Sequence, residues 1–176
     1  DIMKVKEDIA EAMGMLAKRK DTVFLGEGVI NAGRVYGTLD KVPLKQCIEM
    51  PVAENLIAGT AIGLCIEGYR PICIFQRMDF MLIAADAIIN HAALMPKMSG
   101  GKLKLPVIFR TIRAELNDKF WVGHQHSKDF SYVFTPWIDV FQVPERGAQA
   151  AYETAFSKDT PTLVVEEYAK FNDEIK

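Results

Sequence analysis

Glu54 is an ionisable residue in an otherwise apolar part of the sequence. It lies near the start of the stretch EMPVAENLIAGTAIGLCIEGYRP, whose other residues are mostly apolar or small. If this stretch is a helix, Glu54 falls in the first turn, where the helix dipole stabilises a negative charge. Taken by itself, the position therefore favours a structural role for the carboxylate over a catalytic one.

Two histidines, His124 and His126, are candidates for proton transfer because the pKa of histidine lies near neutral pH. They stand at the end of a polar, irregular segment, residues 113–125, which is long enough to suggest a functional loop. Without further information, a structural role is favoured for each of the two histidines.

The elements that must position these residues alternate between strand and helix. Short apolar runs such as TVFLG and RPICIF predict buried strands, and apolar residues at helical spacing predict the helices between them. Continuous apolar strands are typical of a parallel sheet covered by helices on both faces. We therefore predict one α/β domain over residues 3–170, a three-layer α/β/α arrangement with a mostly parallel sheet. A charged tail, residues 171–176, follows it.

One predicted helix, over about residues 51–67, is apolar all round. Pro51 is expected in its first turn, and Gly68 is expected to end it. A helix without a polar face is either packed tightly within its own domain or buried against another subunit. We therefore expect the chain to self-associate, with tight packing on its own sheet as the alternative.

A second apolar helix is predicted over residues 79–95, with Asp79 as its N-cap. Asp86 and Asn90 are one turn apart on the same face and are interpreted as a structural pair. His91 is interpreted as structural as well.

Composition and charge exclude several classes of function. The net charge of −2, with no long basic run, argues against a nucleic-acid partner or a membrane-surface partner. Three cysteines without CxxC or metal-ligand spacing predict reduced thiols, no metal site and a cytoplasmic protein.

Three segments of the sequence, taken in order, resemble one enzyme family. The segments IEMPVAENLIAGTAIGLCIEGYRPICIF, MSGGKLKLPVIFR and HQHSKDF are similar to the β-subunit of the thiamine-diphosphate-dependent component of 2-oxoacid dehydrogenases. More broadly, they resemble the pyrimidine-binding domain that this subunit shares with transketolase and deoxyxylulose-phosphate synthase. The resemblance runs from about Met3 to Tyr168 and implies the thiamine-diphosphate-binding fold.

The resemblance implies roles for individual residues. Glu54 matches the glutamate that contacts a ring nitrogen of the cofactor's aminopyrimidine and activates the cofactor. Phe80 matches an aromatic residue that packs on the pyrimidine ring, although a plain core phenylalanine fits the sequence equally well. His126 matches a histidine that handles protons at the substrate end of the site, a role that His124 could share or replace.

Glu27 and Gly28 match a turn of the family that follows the first strand and lies near the cofactor. The family's GDG motif, which binds diphosphate and Mg²⁺, has no counterpart in this sequence. In two-subunit members that motif belongs to an α-type subunit, so such a partner is expected to hold the Mg²⁺. The stretch RTIRAELNDKFWVG replaces a glycine-rich segment of the family, and no counterpart of the usual C-terminal domain is expected.

The expected function is that of a β-type, pyrimidine-binding subunit of a heteromeric thiamine-diphosphate enzyme. Such an enzyme breaks or forms a carbon–carbon bond next to the carbonyl of a 2-oxo acid or ketose. One alternative is a subunit of a split, transketolase-like ketol transferase, and another is a catalytically silent assembly module of the same fold. A general nucleotide-binding domain is disfavoured because no glycine-rich phosphate fingerprint follows a predicted strand.

Overall fold

The computed structural model describes residues 3–31, 33–114 and 123–175. In this part of the chain six strands form one sheet in the order β2-β1-β3-β4-β6-β5, and each neighbouring pair is parallel. The predicted parallel α/β sheet is therefore confirmed. The strands are β1 (Thr22–Gly26), β2 (Cys47–Glu49), β3 (Arg70–Phe75), β4 (Ile108–Arg113), β5 (Asp139–Gln142) and β6 (Thr162–Glu167).

The helices vary widely in length. The segment α2 is a single left-handed turn, because Arg34, Val35 and Tyr36 have positive φ angles. The helices are α1 (Val5–Leu16), α2 (Gly33–Tyr36), α3 (Glu54–Ile66), α4 (Met78–Met81), α5 (Met95–Met98), α6 (Ser131–Phe134) and α7 (Ala148–Phe156).

Two apolar layers cover the two faces of the sheet. In β3, Ile72 and Ile74 pack in the layer that contains α1 and α7, whereas Cys73 and Phe75 pack in the layer that contains α3. Successive side chains of a strand point to opposite faces, so a sheet covered on both faces needs apolar residues without alternation. Each fully buried side chain of this kind stabilises the fold by about 1.5–3 kcal/mol.

Helix α3 begins three residues later than predicted. Met50 still donates its backbone N–H to the carbonyl of Gly26 (2.9 Å), so the chain is held beside the sheet at that point. Pro51 therefore lies in the connection between β2 and α3, and its prediction as a first-turn residue is wrong. The predicted end is confirmed, because Gly68 follows the C-cap with a left-handed φ of 89°.

The predicted helix over residues 79–95 is broken. Its first segment, α4, begins at Met78 with Arg77 as the N-cap, so the prediction of Asp79 as the N-cap is wrong. A 3₁₀ turn and a π-helix (Ala87–Ala93) follow, and the two halves of the region meet at 62°. Pro96 lies in the first turn of α5, where its missing N–H is tolerated, but it cannot continue an α-helical ladder from the preceding turn.

Two smaller expectations in this region have different outcomes. The Asp86–Asn90 pair is confirmed, since the Asn90 amide donates to the Asp86 carboxylate at 2.8 Å. Most of the predicted loop over residues 113–125 lies outside the described residues. Within the described chain no single helix is long and apolar enough to cross a membrane, although the bent pair Met78–Ala84 and Ala87–Met98 together meets that test of length and composition.

Candidate functional site

The residues implied as functional all lie at one edge of the sheet. Parallel strands end at the same edge, and ligands of open α/β sheets bind there. Glu27 and Gly28 directly follow β1, Glu54 follows β2 after a four-residue connection, Phe80 lies in α4 after β3, and His126 follows β4 along the chain. The topology therefore brings five residues from four different segments to the carboxyl ends of four neighbouring strands.

Glu54 is the first residue of α3 and only 8% exposed. Within the described chain no hydrogen bond or ion pair reaches its carboxylate. The helix dipole favours a negative charge at this position. A buried carboxylate without hydrogen-bond donors is nevertheless costly, so this group retains the capacity to bind a ligand.

Phe80 and His126 are in direct contact. Their ring centroids lie 5.1 Å apart and the planes meet at 83°, an edge-to-face arrangement. The backbone N–H of Phe130 points at the sulfur of Met78 (2.9 Å), which ties the histidine loop to α4. His124 lies in the same 3₁₀ turn as His126 and is exposed.

Glu49, which sequence reasoning missed, holds the turn that contains Glu27 and Gly28. One carboxylate oxygen accepts the N–H of Gly28 at 2.5 Å, and the other accepts those of Ile30 at 2.7 Å and Asn31 at 3.3 Å. Gly28 has a φ of 72°, a conformation that favours glycine. The sequence feature that could have identified Glu49 is its position, since it is an acid at the carboxyl end of a predicted strand.

Asp79 and Arg77 are two further charged residues at this edge that sequence reasoning did not assign to the site. Burial raises the pKa of the Asp79 carboxyl above its ordinary value, while the backbone N–H groups of Asp79 and Lys128 and the charges of His126 and Arg77 act in the opposite direction. Arg77 is 6% exposed, and its guanidinium lies 4.6 Å from the ring centroid of Tyr168. Among the buried polar atoms that lack a hydrogen-bond partner in the described chain are Nη1 of Arg77, Oδ2 of Asp79 and Nδ1 of His126.

The larger surface cavities lie away from this edge. One of about 480 Å³ lies between α1 and the left-handed turn α2. Another of about 630 Å³ is lined by residues that precede α7 and residues that follow β6, such as Glu145 and Asn172. Glu54, Phe80 and His126 line neither of them.

Comparison with known sequences identifies relatives that match most of this chain. The pyruvate dehydrogenase E1 component subunit beta of Caenorhabditis elegans is 34% identical over 172 residues, which is 93% of this chain and 48% of the relative. The corresponding subunits of Saccharomyces cerevisiae and Rickettsia bellii are 35% and 31% identical, over 77% and 92% of this chain. They are covered to 36% and 51% of their own length, so the chain spans about half of its relatives or less.

Solved structures agree on the fold. A split gene transketolase, described as an inactive beta4 tetramer, matches with a TM-score of 0.73 at 17% identity, over 95% of this chain and 52% of that one. A putative thiamin diphosphate-dependent enzyme from Mycobacterium smegmatis matches with a TM-score of 0.64 at 18% identity, over 94% of this chain and 32% of that one. A family model described as "Transketolase, pyrimidine binding domain" matches residues 2–130. The chain therefore belongs to the transketolase pyrimidine-binding domain family.

Proposed function

We propose that the chain is the β-type, pyrimidine-binding subunit of a heteromeric thiamine-diphosphate enzyme that acts on a 2-oxo acid. The observation that carries this proposal is the state of Glu54. It is a buried carboxylate at the ligand-binding edge of a parallel sheet, and no donor in the described chain reaches it. A purely structural acid in such a place would be expected to pair with a neighbour.

The residues at this edge fit the aminopyrimidine half of thiamine diphosphate. Glu54 would accept a hydrogen bond from a pyrimidine ring nitrogen, Phe80 would contact the ring face, and the backbone near Glu27 and Gly28 would line its edge. Burial of the Glu54 carboxylate strengthens that hydrogen bond because the local dielectric constant is low. When bound, the cofactor supplies the nucleophilic carbon that protein side chains lack.

His126 would move a proton at the substrate end of the site. Its ring is held edge-on against Phe80, so the proton-transfer group and the pyrimidine contact are fixed relative to each other. The relatives are described as beta subunits, which supports the proposal of an α-type partner. That partner would supply the diphosphate and Mg²⁺ ligands.

The relatives at 31–35% identity favour a 2-oxo acid over a ketose. The pyruvate dehydrogenase β-subunits are 31–35% identical, whereas the split transketolase is similar at 17% identity, a level that supports the fold alone. Decarboxylation of a 2-oxo acid and ketol transfer are distinguished by assaying both substrates with the partner present.

The test is Glu54→Gln in the presence of the α-type partner. The amide keeps the size of the side chain, so folding should be normal, but it cannot share an acidic proton with the ring nitrogen. We expect turnover to fall about a hundredfold or more. Calorimetry should show that the 176-residue chain alone binds thiamine diphosphate and Mg²⁺ weakly or not at all.

Glu67→Gln is a matched control, since the same substitution is then made at the exposed C-cap of the same helix. It should leave the rate unchanged. A Glu54→Gln enzyme that keeps full activity and loses about 0.5 kcal/mol of stability would make Glu54 a helix-end charge and would remove the main support for the enzymatic proposal.

A further inference from the structure

The hydrogen-bonding roles around His126 can be deduced from its neighbour Gln125. The side-chain nitrogen Nε2 of Gln125 lies 3.4 Å from the ring nitrogen Nε2 of His126. An amide nitrogen donates hydrogen bonds, so with Gln125 oriented in this way the contact favours the ring Nε2 as the acceptor. The proton of the neutral ring is then on Nδ1, which is the form that the proposal below adopts.

Nδ1 of His126 is therefore a donor that lacks an acceptor. It is buried, and no hydrogen-bond partner is present for it within the described residues. Buried donors are rarely left unpaired in native proteins, and each exception calls for an explanation.

Asp79 carries the complementary unpaired atom. Its Oδ2 is buried and likewise lacks a partner in the described chain. Asp79 immediately precedes Phe80, whose ring lies 5.1 Å from that of His126. The charge of His126 acts on Asp79, and the backbone N–H of Lys128 from the histidine loop stabilises its carboxylate. The loop and α4 are thus already connected through this residue.

The other carboxylate near the pair already has partners of its own. Asp129, also in the histidine loop, is bound by Arg113 at 2.8 Å and by the backbone N–H of Ser131 at 2.8 Å. Arg77, on the α4 side, faces the Tyr168 ring and adds positive charge near Asp79. Asp79 is therefore the carboxylate best placed for the His126 ring.

We propose that Asp79 is a positioning residue that accepts a hydrogen bond from Nδ1 of His126. The pair forms by rotation of the two side chains, which do not bond to each other in this structure. A carboxylate on Nδ1 fixes the tautomer and orientation of a histidine and leaves Nε2 free to exchange a proton. The use of that Nε2 on a substrate rests on the proposed function, whereas the pairing is a property of the chain alone.

The tautomer can be measured without any enzyme activity. Nitrogen-15 NMR of the histidine rings, on the full labelled chain at about pH 8.5, reads the neutral ring because the ordinary pKa of histidine is about 6.5. We expect His126 to carry its proton on Nδ1 and to shift to the Nε2–H form in Asp79→Ala. Asp79→Asn, whose amide oxygen still accepts a hydrogen bond, should keep most of the Nδ1–H form.

Asp86→Ala provides a matched control on a second Asp–His pair. Oδ2 of Asp86 lies 3.4 Å from Nε2 of His91, and both residues are exposed. This variant should change the signals of His91 and leave those of His126 unchanged.

The proposal is wrong if His126 carries its proton on Nε2 in the parent chain, or if its tautomer is the same in Asp79→Ala. If Asp79→Ala does not fold, an Nε2–H form of His126 in the parent chain still refutes the proposal. In the complete enzyme, Asp79→Ala should lower kcat about tenfold or more with little change in KM. If Asp79→Ala shifts the tautomer but the assembled parent enzyme shows no turnover, the pairing is supported and the proposed function is refuted.

Discussion

Arg110 and Glu166 form an ion pair in the centre of the sheet, and both side chains are fully buried. The guanidinium of Arg110 binds both carboxylate oxygens, at 2.9 and 2.8 Å, and also donates to the hydroxyl of Thr38 at 2.6 Å. The phenol of Tyr152 donates to Glu166 at 2.5 Å. Burial raises the pKa of this phenol, and the Glu166 carboxylate raises it further, so Tyr152 remains a donor.

Glu166→Gln should therefore be far more destabilising than Tyr152→Phe. The first change leaves a buried guanidinium without its counter-charge, which costs about 3–5 kcal/mol. The second removes one hydrogen bond and costs about 1 kcal/mol. Denaturant unfolding of both variants measures the difference. Equal losses would show that the charge of Glu166 contributes little beyond its hydrogen bonds.

At the scale of an element, the turn after β1 depends on the neighbouring strand. The side chain of Glu49, at the end of β2, replaces the missing hydrogen-bond partners of Gly28 and Ile30. On the other side, Gln76 after β3 donates to the carbonyl of Glu27 at 2.9 Å. The turn that carries Glu27 is thus fixed from both flanking strands, which keeps this part of the candidate site in place.

Glu49→Gln should loosen this turn without unfolding the sheet. The new NH₂ group cannot accept hydrogen bonds from the backbone N–H groups that it faces, so at least one of these hydrogen bonds is lost. Hydrogen exchange should accelerate at the amides of Gly28 or Ile30. Glu7→Gln is the control, because Glu7 accepts the N–H of Lys4 at 2.8 Å far from the turn. Unchanged exchange at both turn amides would contradict the assignment of Glu49 as their anchor.

At the scale of the whole molecule, α3 leaves an apolar face uncovered. Leu56 and Ile66 are 54% and 53% exposed, and Gly59 and Gly63 between them are exposed as well. Apart from the adjacent residues and the backbone of the same helix, a Cβ atom placed on either glycine would meet no atom of the described chain within 4 Å. The described residues therefore do not show the alternative, in which the whole helix packs tightly within its own domain, and the expected self-association stays a prediction.

We expect the isolated chain to self-associate through this face, as measured by light scattering over a dilution series. Replacing both Leu56 and Ile66 by Ser should shift the chain towards monomer, since each buried aliphatic side chain stabilises an interface by about 1.5–3 kcal/mol. Met98→Ser is the control, because Met98 is 79% exposed outside this face. A monomeric parent chain at all concentrations would refute the prediction.

Local sequence alone determined the features that depend on near neighbours in the chain. Short apolar runs specify strands that are covered on both faces, and Gly68 ends α3 because glycine adopts a left-handed φ without strain. The Asp86–Asn90 contact follows from helical spacing. The family resemblance identified Glu54, Phe80 and His126 as candidate site residues, and their roles stay predictions.

Tertiary structure decided the features that depend on contacts between distant segments. The hydrogen bond from Met50 to Gly26 delays the start of α3, and the region after β3 bends by 62° before the π-helix. Glu49 reaches residues 18 to 21 positions earlier, and Asp79 lies beside a histidine loop almost fifty residues later. No local pattern encodes such pairings, because they arise only when parallel strands bring their carboxyl ends to one edge.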